Sequence, residues 1–272
     1  MMADAREILQ RFFSIRLGVA LADLKPGQVA VATSERRTFA ELSYGFIRLL
    51  WVMLRGDWAA ISVHPAALAE VARIAWGLKP DGVMNDEFLA QARDALQSPL
   101  PGAALNISPV DITFYHPGGT AVCRAGVPTP AGWPAGTEVR PLAPADGDKW
   151  AGKRQTYMRG ADHPSAMHGE AFGLFLGDKL IADIITHDPP IAEMEHLIAA
   201  DGIEVAEEYR RRGYGKAILS AWTCEMQARG RVCIHSTSIN NEASIALARS
   251  AGYIEYARSR MVTYNPPESN RH

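Results

Sequence analysis

The chain has 272 residues, 47% hydrophobic and 21% charged, with a formal net charge of −2. This composition excludes a disordered chain, which would be poorer in apolar residues. It argues against a polyanion as main partner, since nucleic-acid affinity rests on clustered Lys and Arg, and the length suits one large domain or two ordinary ones.

No apolar run reaches the roughly 18 residues of a membrane-spanning helix, so no membrane partner is expected. Cys123, Cys224 and Cys233 form no Cys-x-x-Cys pair. Neither a disulfide framework nor a Cys-based zinc site is therefore expected, and a reducing, cytoplasmic setting is.

At the N-terminus Ile8, Leu9, Phe12 and Phe13 recur at helical spacing. They predict an amphipathic helix rather than a signal peptide. Residues 28–33, 47–54 and 59–63 are strands. Arg55-Gly56-Asp57 is a hairpin turn between two of them rather than an adhesion tripeptide. Leu68, Val71, Ala72 and Ala75 share one helical face, as do Phe88, Leu89, Ala92 and Leu96. Asn85 or Asp86 caps the second of these helices. Nine of the twenty residues 117–136 are Gly or Pro, a composition that resists regular structure. The expected division is an N-terminal α/β domain over 1–116, a Gly/Pro-rich linker over 117–137 and a C-terminal domain over 138–272.

Strands are expected at 138–142, 171–176, 180–186, 202–206, 231–236 and 253–264. Helices are expected at 212–228 and 241–250. Gly177-Asp178-Lys179 makes a hairpin turn, and Gly230 closes the first helix. His163, His168, His187 and His196 fall in or beside loops at spacings that fit no zinc pattern, so no metal is expected.

The informative stretch runs Ile203-Glu-Val-Ala-Glu-Glu-Tyr-Arg-Arg-Arg-Gly-Tyr-Gly-Lys216. An apolar strand enters a basic, glycine-bearing turn and passes directly into a helix. Such a turn presents unpaired backbone N–H groups at the positive end of the helix dipole, which suits a phosphate or pyrophosphate. Gly213 and Gly215 carry no Cβ and let the backbone approach the anion. Arg210, Arg211, Arg212 and Lys216 add positive charge. A solvated helix start beside Glu207 and Glu208 would also explain the arginines. A Walker A loop does not fit, because Ala217 follows Gly215-Lys216. A Rossmann fingerprint fails because Ile218 stands where its third glycine belongs.

Arg210-x-x-Gly213-x-Gly215 resembles the Arg/Gln-x-x-Gly-x-Gly/Ala signature of the GNAT superfamily of N-acetyltransferases. Asn241-x-x-Ser244-Ile245-x-Leu247, followed by Ala251-Gly252-Tyr253, resembles that family's second conserved segment. The resemblance covers residues 138–264, just under half of the chain. It implies an α/β (α+β) fold with a mixed central sheet flanked by helices, beside a smaller N-terminal α/β domain. The fourth and fifth strands of the sheet would splay around acetyl-CoA. The cofactor's pantetheine arm would pair with the backbone of Ile203, Val205 and Ala206. Its pyrophosphate would rest on the amides of Arg211, Arg212, Gly213, Tyr214, Gly215 and Lys216, with Asn241 and Ser244 lining the arm. The chain departs from the family at Ala248, where a tyrosine often follows the helical leucine.

Acetyl transfer to an amine needs a base for the ammonium, a donor for the oxyanion and help for the leaving thiolate. The strand amide near Val205 suits the oxyanion, and Glu204 or Asp201 suits the base. With Ala248 in the tyrosine's place, Tyr253 or water is left as the acid. Cys224 and Cys233 need no covalent role and read as small core residues. The expected activity is acetyl-CoA-dependent N-acetylation of a primary amine on a small molecule, by direct attack in a ternary complex. A metabolite, an amino-acid-like compound or an antibiotic would serve as acceptor. The alternatives are a non-catalytic acyl-CoA sensor and a protein or peptide N-acetyltransferase. The N-terminal half would cap the acceptor side or form a homodimer interface.

Overall fold

The computed structural model describes residues 4–40, 46–98, 100, 102–118, 133–151, 163–187 and 191–266. Most of the expected linker, Cys123 included, lies outside the described residues. The chain divides into two units, neither contiguous in sequence. The N-terminal unit comprises Arg6–Thr113, Thr237–Asn241 and Glu255–His272; the C-terminal unit comprises Met1–Ala5, Phe114–Ser236 and Glu242–Ile254.

In the N-terminal unit, α1 (Ala5–Leu17) buries Ile8, Leu9, Phe12 and Phe13, as their spacing requires. β1 (Val29–Thr33) pairs in parallel with β3 (Trp58–Val63). β2 (Ile47–Arg55) forms a hairpin with β3, with Arg55 opposite Trp58. The two-residue turn left between them needs a positive φ, and Gly56 supplies it at 59°. The Arg-Gly-Asp tripeptide is therefore a turn. α2 (Leu68–Ala75) and α3 (Asp86–Gln97) lay Val71, Phe88, Leu89, Ala92 and Leu96 against Leu50, Val52 and Ile61 of the sheet. The Asn85 side chain caps α3 by accepting the Phe88 N–H at 2.7 Å. The strands β4 (Leu105–Ile107) and β5 (Asp111–Tyr115) are too short for their alternation to stand out in sequence. The chain passes from one unit to the other within β5.

The last strand, β11 (Ile254–Tyr264), runs antiparallel to β2 from Arg258↔Leu54 to Tyr264↔Ile47. Its Val262 enters the same core as Leu50 and Val52. This differs from the expected division, which placed the strand with 138–272. Pairing across the sheet, not nearness along the chain, sets its membership.

The sheet of the C-terminal unit has the order β6-β7-β8-β9-β10. Its strands are β6 (Thr137–Pro141), β7 (Phe172–Leu176), β8 (Lys179–His187), β9 (Ile198–Val205) and β10 (Val232–Ser238). Neighbours are antiparallel except β9 and β10, which are parallel. The result is an open mixed sheet flanked by helices, as the resemblance implies. A short helix, α4 (Pro164–Met167), precedes β7; α5 (Tyr214–Ala228) and α6 (Glu242–Ser250) follow β9 and β10. α5 buries Ala217, Ile218, Ala221, Trp222 and Met226. The indole N–H of Trp222 donates to Thr186 Oγ1 on β8 at 2.8 Å.

β9 begins four residues ahead of its expected start, at Ile198. Ala199-Ala200-Asp201-Gly202 has weak strand preference, but pairing with β10 as far as Ala200 and with β8 from Ala200 onward imposes the conformation. One cysteine expectation is corrected. Cys224 is disulfide-bonded, whereas Cys233 is a free, buried thiol. Among the described residues no helix is long and apolar enough to cross a membrane.

Candidate active site

β9 and β10 pair only at Ile198↔Val232, Ala199↔Cys233 and Ala200↔Ile234. On its other edge β9 stays paired with β8 as far as Val205. From Asp201 onward the two parallel strands therefore part, which makes a fork. Backbone groups alternate between the edges of a strand. The Ala206 N–H donates to Ile181 of β8 at 2.9 Å, and the Val232 N–H of β10 donates to Leu197 at 2.7 Å. The odd-numbered residues Ile203 and Val205 thus turn their N–H and C=O groups into the fork. Asp201 has a fully buried side chain in a half-buried residue, so its accessible surface is main chain.

Ala206 differs from the expectation that it pairs with the cofactor's arm. Its N–H goes to Ile181 and its carbonyl accepts from Tyr209 at 2.8 Å, so both groups are already used.

At the outer end of β9 the chain turns through Arg210, Arg211 and Arg212 into α5. Gly213 is the N-cap, at φ 83°, and no side chain caps the helix. The first-turn amides are left to an external acceptor. Space opens in front of Gly213: a Cβ there would meet nothing within 4 Å. Gly215 faces elsewhere. A Cβ on it would lie 3.5 Å from Val205 Cγ2 and 3.6 Å from Leu247 Cδ1, so its small size serves packing between α5, β9 and α6. Arg210 is a staple rather than a phosphate ligand, since its Nε donates to the Val205 carbonyl at 2.9 Å. Arg211, Arg212 and Lys216 are exposed. Tyr214 is buried with its ring 4.7 Å from that of Trp133, which leaves only its amide for the turn. Asn241 is exposed in the turn ahead of α6, its N–H on the Ser238 carbonyl at 2.9 Å.

The two candidate bases lie on opposite faces of β9, because side chains alternate along a strand. Val205 approaches α5, so Asp201, Ile203 and Val205 share the helix face and Glu204 takes the other. Glu204 stands directly across from Asp183 of β8, which is buried. Burial raises the Glu204 pKa, and Arg210 opposes the rise.

Asp201 is not open to an acceptor. Its two carboxylate oxygens lie 2.9 and 2.8 Å from His235 Nδ1. The other ring nitrogen, Nε2, is 2.7 Å from Ser244 Oγ on α6. Burial acts to lower the His235 pKa, but the charge and hydrogen bond of Asp201 carry the net shift upward. His235 was not singled out in sequence, since one histidine in an apolar strand gives no signal.

Tyr253 is placed in the core, 2% exposed, with its hydroxyl 2.6 Å from Thr223 Oγ1. Burial raises its pKa well above the ordinary tyrosine value, which makes it a poor acid. Burial likewise pushes the Cys233 thiol up, away from thiolate chemistry. Among the described residues no group of three or more His, Cys, Asp or Glu is arranged to hold a metal ion.

Residues 142–253 match the family model described as acetyltransferase (GNAT) family. The chain carries a GNAT acetyltransferase domain. That domain contains the fork, the basic turn and the Asp201–His235–Ser244 cluster. A comparison with curated proteins finds no match. Among solved structures, the chain is similar to a GNAT-family acetyltransferase from Colwellia psychrerythraea. The identity is 17% and the TM-score 0.45, over 66% of this chain and 62% of that one, under two thirds of the latter's length. It is similar to a GCN5-related N-acetyltransferase from Sphaerobacter thermophilus at 14% identity and TM-score 0.43, over 74% and 86% of the two chains. It is also similar to yncA from Salmonella typhimurium, solved with its cofactor acetyl-CoA, at 14% identity and TM-score 0.30, over 38% and 68%.

Proposed function

We propose that the chain is an acetyl-CoA-dependent N-acetyltransferase that acetylates a primary amine on a small molecule by direct attack in a ternary complex. The observation that carries this reading is the fork between β9 and β10, with a basic, uncapped helix N-terminus at its outer end. An extended arm ending in a pyrophosphate needs both: a strand edge to pair with and a cradle of amides and cations.

Acetyl-CoA is the co-substrate. Its pyrophosphate would meet the turn from Arg211 to Lys216, and its arm the main-chain groups of Ile203 and the N–H of Val205, whose carbonyl already accepts from Arg210. The Ile203 amide, turned into the fork next to Val205 and nearer its inner end, is the donor proposed for the oxyanion. Glu204 is the proposed base. Its raised pKa suits a group that must take a proton from an ammonium and release it again. Asp183, directly across the ladder, adds a second carboxylate on that face. Two carboxylates with Cβ atoms about 5 Å apart favour a cationic acceptor.

Calorimetry with CoA, followed by a thiol-release assay with acetyl-CoA and a panel of amines, tests the reading. The panel should hold spermidine, free amino acids, an aminoglycoside and a lysine-containing peptide. CoA binding with thiol release driven by a small amine is the expected result. Absence of CoA binding would overturn the cradle. Release driven by the peptide alone would move the acceptor to a protein.

A further inference from the structure

We infer that Asp201, His235 and Ser244 form a proton relay that protonates the thiolate leaving acetyl-CoA, in place of a tyrosine at position 248. This inference rests on the acetyl-transfer reading and adds the residues that would release the thiol.

Three features of the geometry place the relay at the reacting end of the arm. Asp201 and His235 directly follow Ala200 and Ile234, the last paired residues of β9 and β10, so they stand at the inner end of the fork. An arm anchored at the turn beyond Val205 and laid along β9 reaches Asp201 after four residues, or about 13 Å. Its thioester end therefore lies inward of the turn, between Ile203 and the Asp201–His235 end of the fork. Finally, Ser244 and Ala248 are four residues apart on α6 and share one face of that helix. Ser244 presents a hydroxyl one turn ahead of the position where the side chain is a bare methyl.

The chemistry of the cluster is directional. The Asp201 side chain is wholly buried and that of His235 is 4% exposed, while Ser244 is half-buried. Both Asp201 oxygens face Nδ1, which fixes a proton on that nitrogen. When Nε2 is also protonated it donates to Ser244 Oγ, and the hydroxyl hydrogen of Ser244 then turns away from the ring. The upward net shift of His235 favours this charged form. Around His235, β9 supplies Asp201, α6 supplies Ser244, and the segment after α6 supplies Tyr253 with its ring 6.3 Å away. β5 supplies the apolar ring of Phe114, 6.5 Å away. Cys233, on the same strand as His235, is held as a neutral thiol by burial.

The step balances as follows. The amine lone pair attacks the thioester carbon and the C–N bond forms. The C–S bond then breaks and leaves its electron pair on sulfur. The Ser244 hydroxyl proton passes to that sulfur as the His235 Nε2 proton passes to the Ser244 oxygen. The surplus amine proton goes to Glu204. His235 regains its proton from solvent after the products leave.

The test uses the full chain with acetyl-CoA and hydroxylamine, a small nucleophile that is unprotonated at neutral pH and so needs no deprotonation by Glu204 before it attacks. Calorimetry and turnover of the wild-type chain come first; no binding or no turnover there overturns the transfer reading and the relay with it. Given wild-type turnover, Ser244→Ala is expected to bind CoA within about twofold of wild type and to lose about 100-fold in kcat, the usual share of one general acid. Ser244→Thr should recover most of that loss. Asp201→Asn should move the alkaline limb of the kcat profile to lower pH, because His235 loses the charge that holds its pKa up. A Ser244→Ala kcat within twofold of wild type would overturn the relay. So would an acetylated Ser244 found by mass spectrometry after acid quench, which would make the hydroxyl a nucleophile.

Discussion

Arg211 is held at φ 61°, the single non-glycine with positive φ among the described residues. A side chain in that region costs about 1–2 kcal/mol. Such strain persists where the surroundings fix it, often at ligand sites. Arg211→Gly should raise the unfolding free energy by about 1 kcal/mol in urea titration. The same variant should bind CoA more weakly, because an exposed cation leaves the cradle. A less stable Arg211→Gly protein would refute the strain. Gly213, at φ 83°, is the inverse case: Gly213→Ala should lose about 1–2 kcal/mol of stability from backbone strain alone. Glu204 adds a prediction in pH. Its pKa is raised by burial, so with an ammonium acceptor activity should rise with pH through a limb above the ordinary glutamate range. Glu204→Gln should remove that limb from the kcat/KM profile. The arginines and glycines of the turn were legible in sequence because they are adjacent. The relay was not, because Asp201 and Ser244 lie 34 and nine residues from His235. Asp183 was missed for the same reason: only strand register brings it to Glu204.

At the scale of elements, β6 and the turn after it show how one carboxylate organises a segment. Asp146 is 3% exposed. It takes a two-pronged contact from Arg140 at 2.7 and 2.8 Å, the Lys149 ammonium at 2.9 Å and the Ala143 N–H at 3.0 Å. Arg140 in turn lies over the Phe175 ring of β7, 3.9 Å from its centre. The Arg140 hydrogen bond, with help from Ala143 and Lys149, holds the Asp146 pKa far below the ordinary carboxylate value. A depressed carboxylate adds stability that is present above its unfolded pKa and lost as the pH falls. Asp146→Asn should therefore cost about 2–3 kcal/mol at neutral pH, the scale of breaking a buried charged network. The loss should shrink in acid, read as converging urea midpoints of variant and wild type. Equal losses at neutral and acid pH would rule out the electrostatic account. Hairpins and helices were legible because each carries local punctuation, such as the Gly56 and Gly177 turns. The early start of β9 was not, since Ala-Ala-Asp-Gly takes its form from neighbours far along the chain.

The division of the whole molecule follows pairing rather than chain order. β11 is the last strand in sequence, yet seven of its residues pair with β2, and Val262, Thr263 and Tyr264 also pair with β4. A cut that respects sequence order therefore damages the N-terminal unit. A fragment of 1–116 loses β11, which leaves β2 with an open edge and the core around Leu50 without Val262. A fragment of 138–272 keeps β11 but lacks β2 and β4, its partners in that unit. Long unpaired strand edges template association with other chains. Both fragments should consequently form oligomers or aggregates in size-exclusion chromatography. Fragment 1–116 should also unfold in urea with a shallower transition than the whole chain, because a unit without β11 buries less surface. A monomeric, cooperatively folding 1–116 would show that β11 is dispensable to that unit. The acetyltransferase segment would then be separable by a single cut, as the Gly/Pro-rich stretch alone suggests.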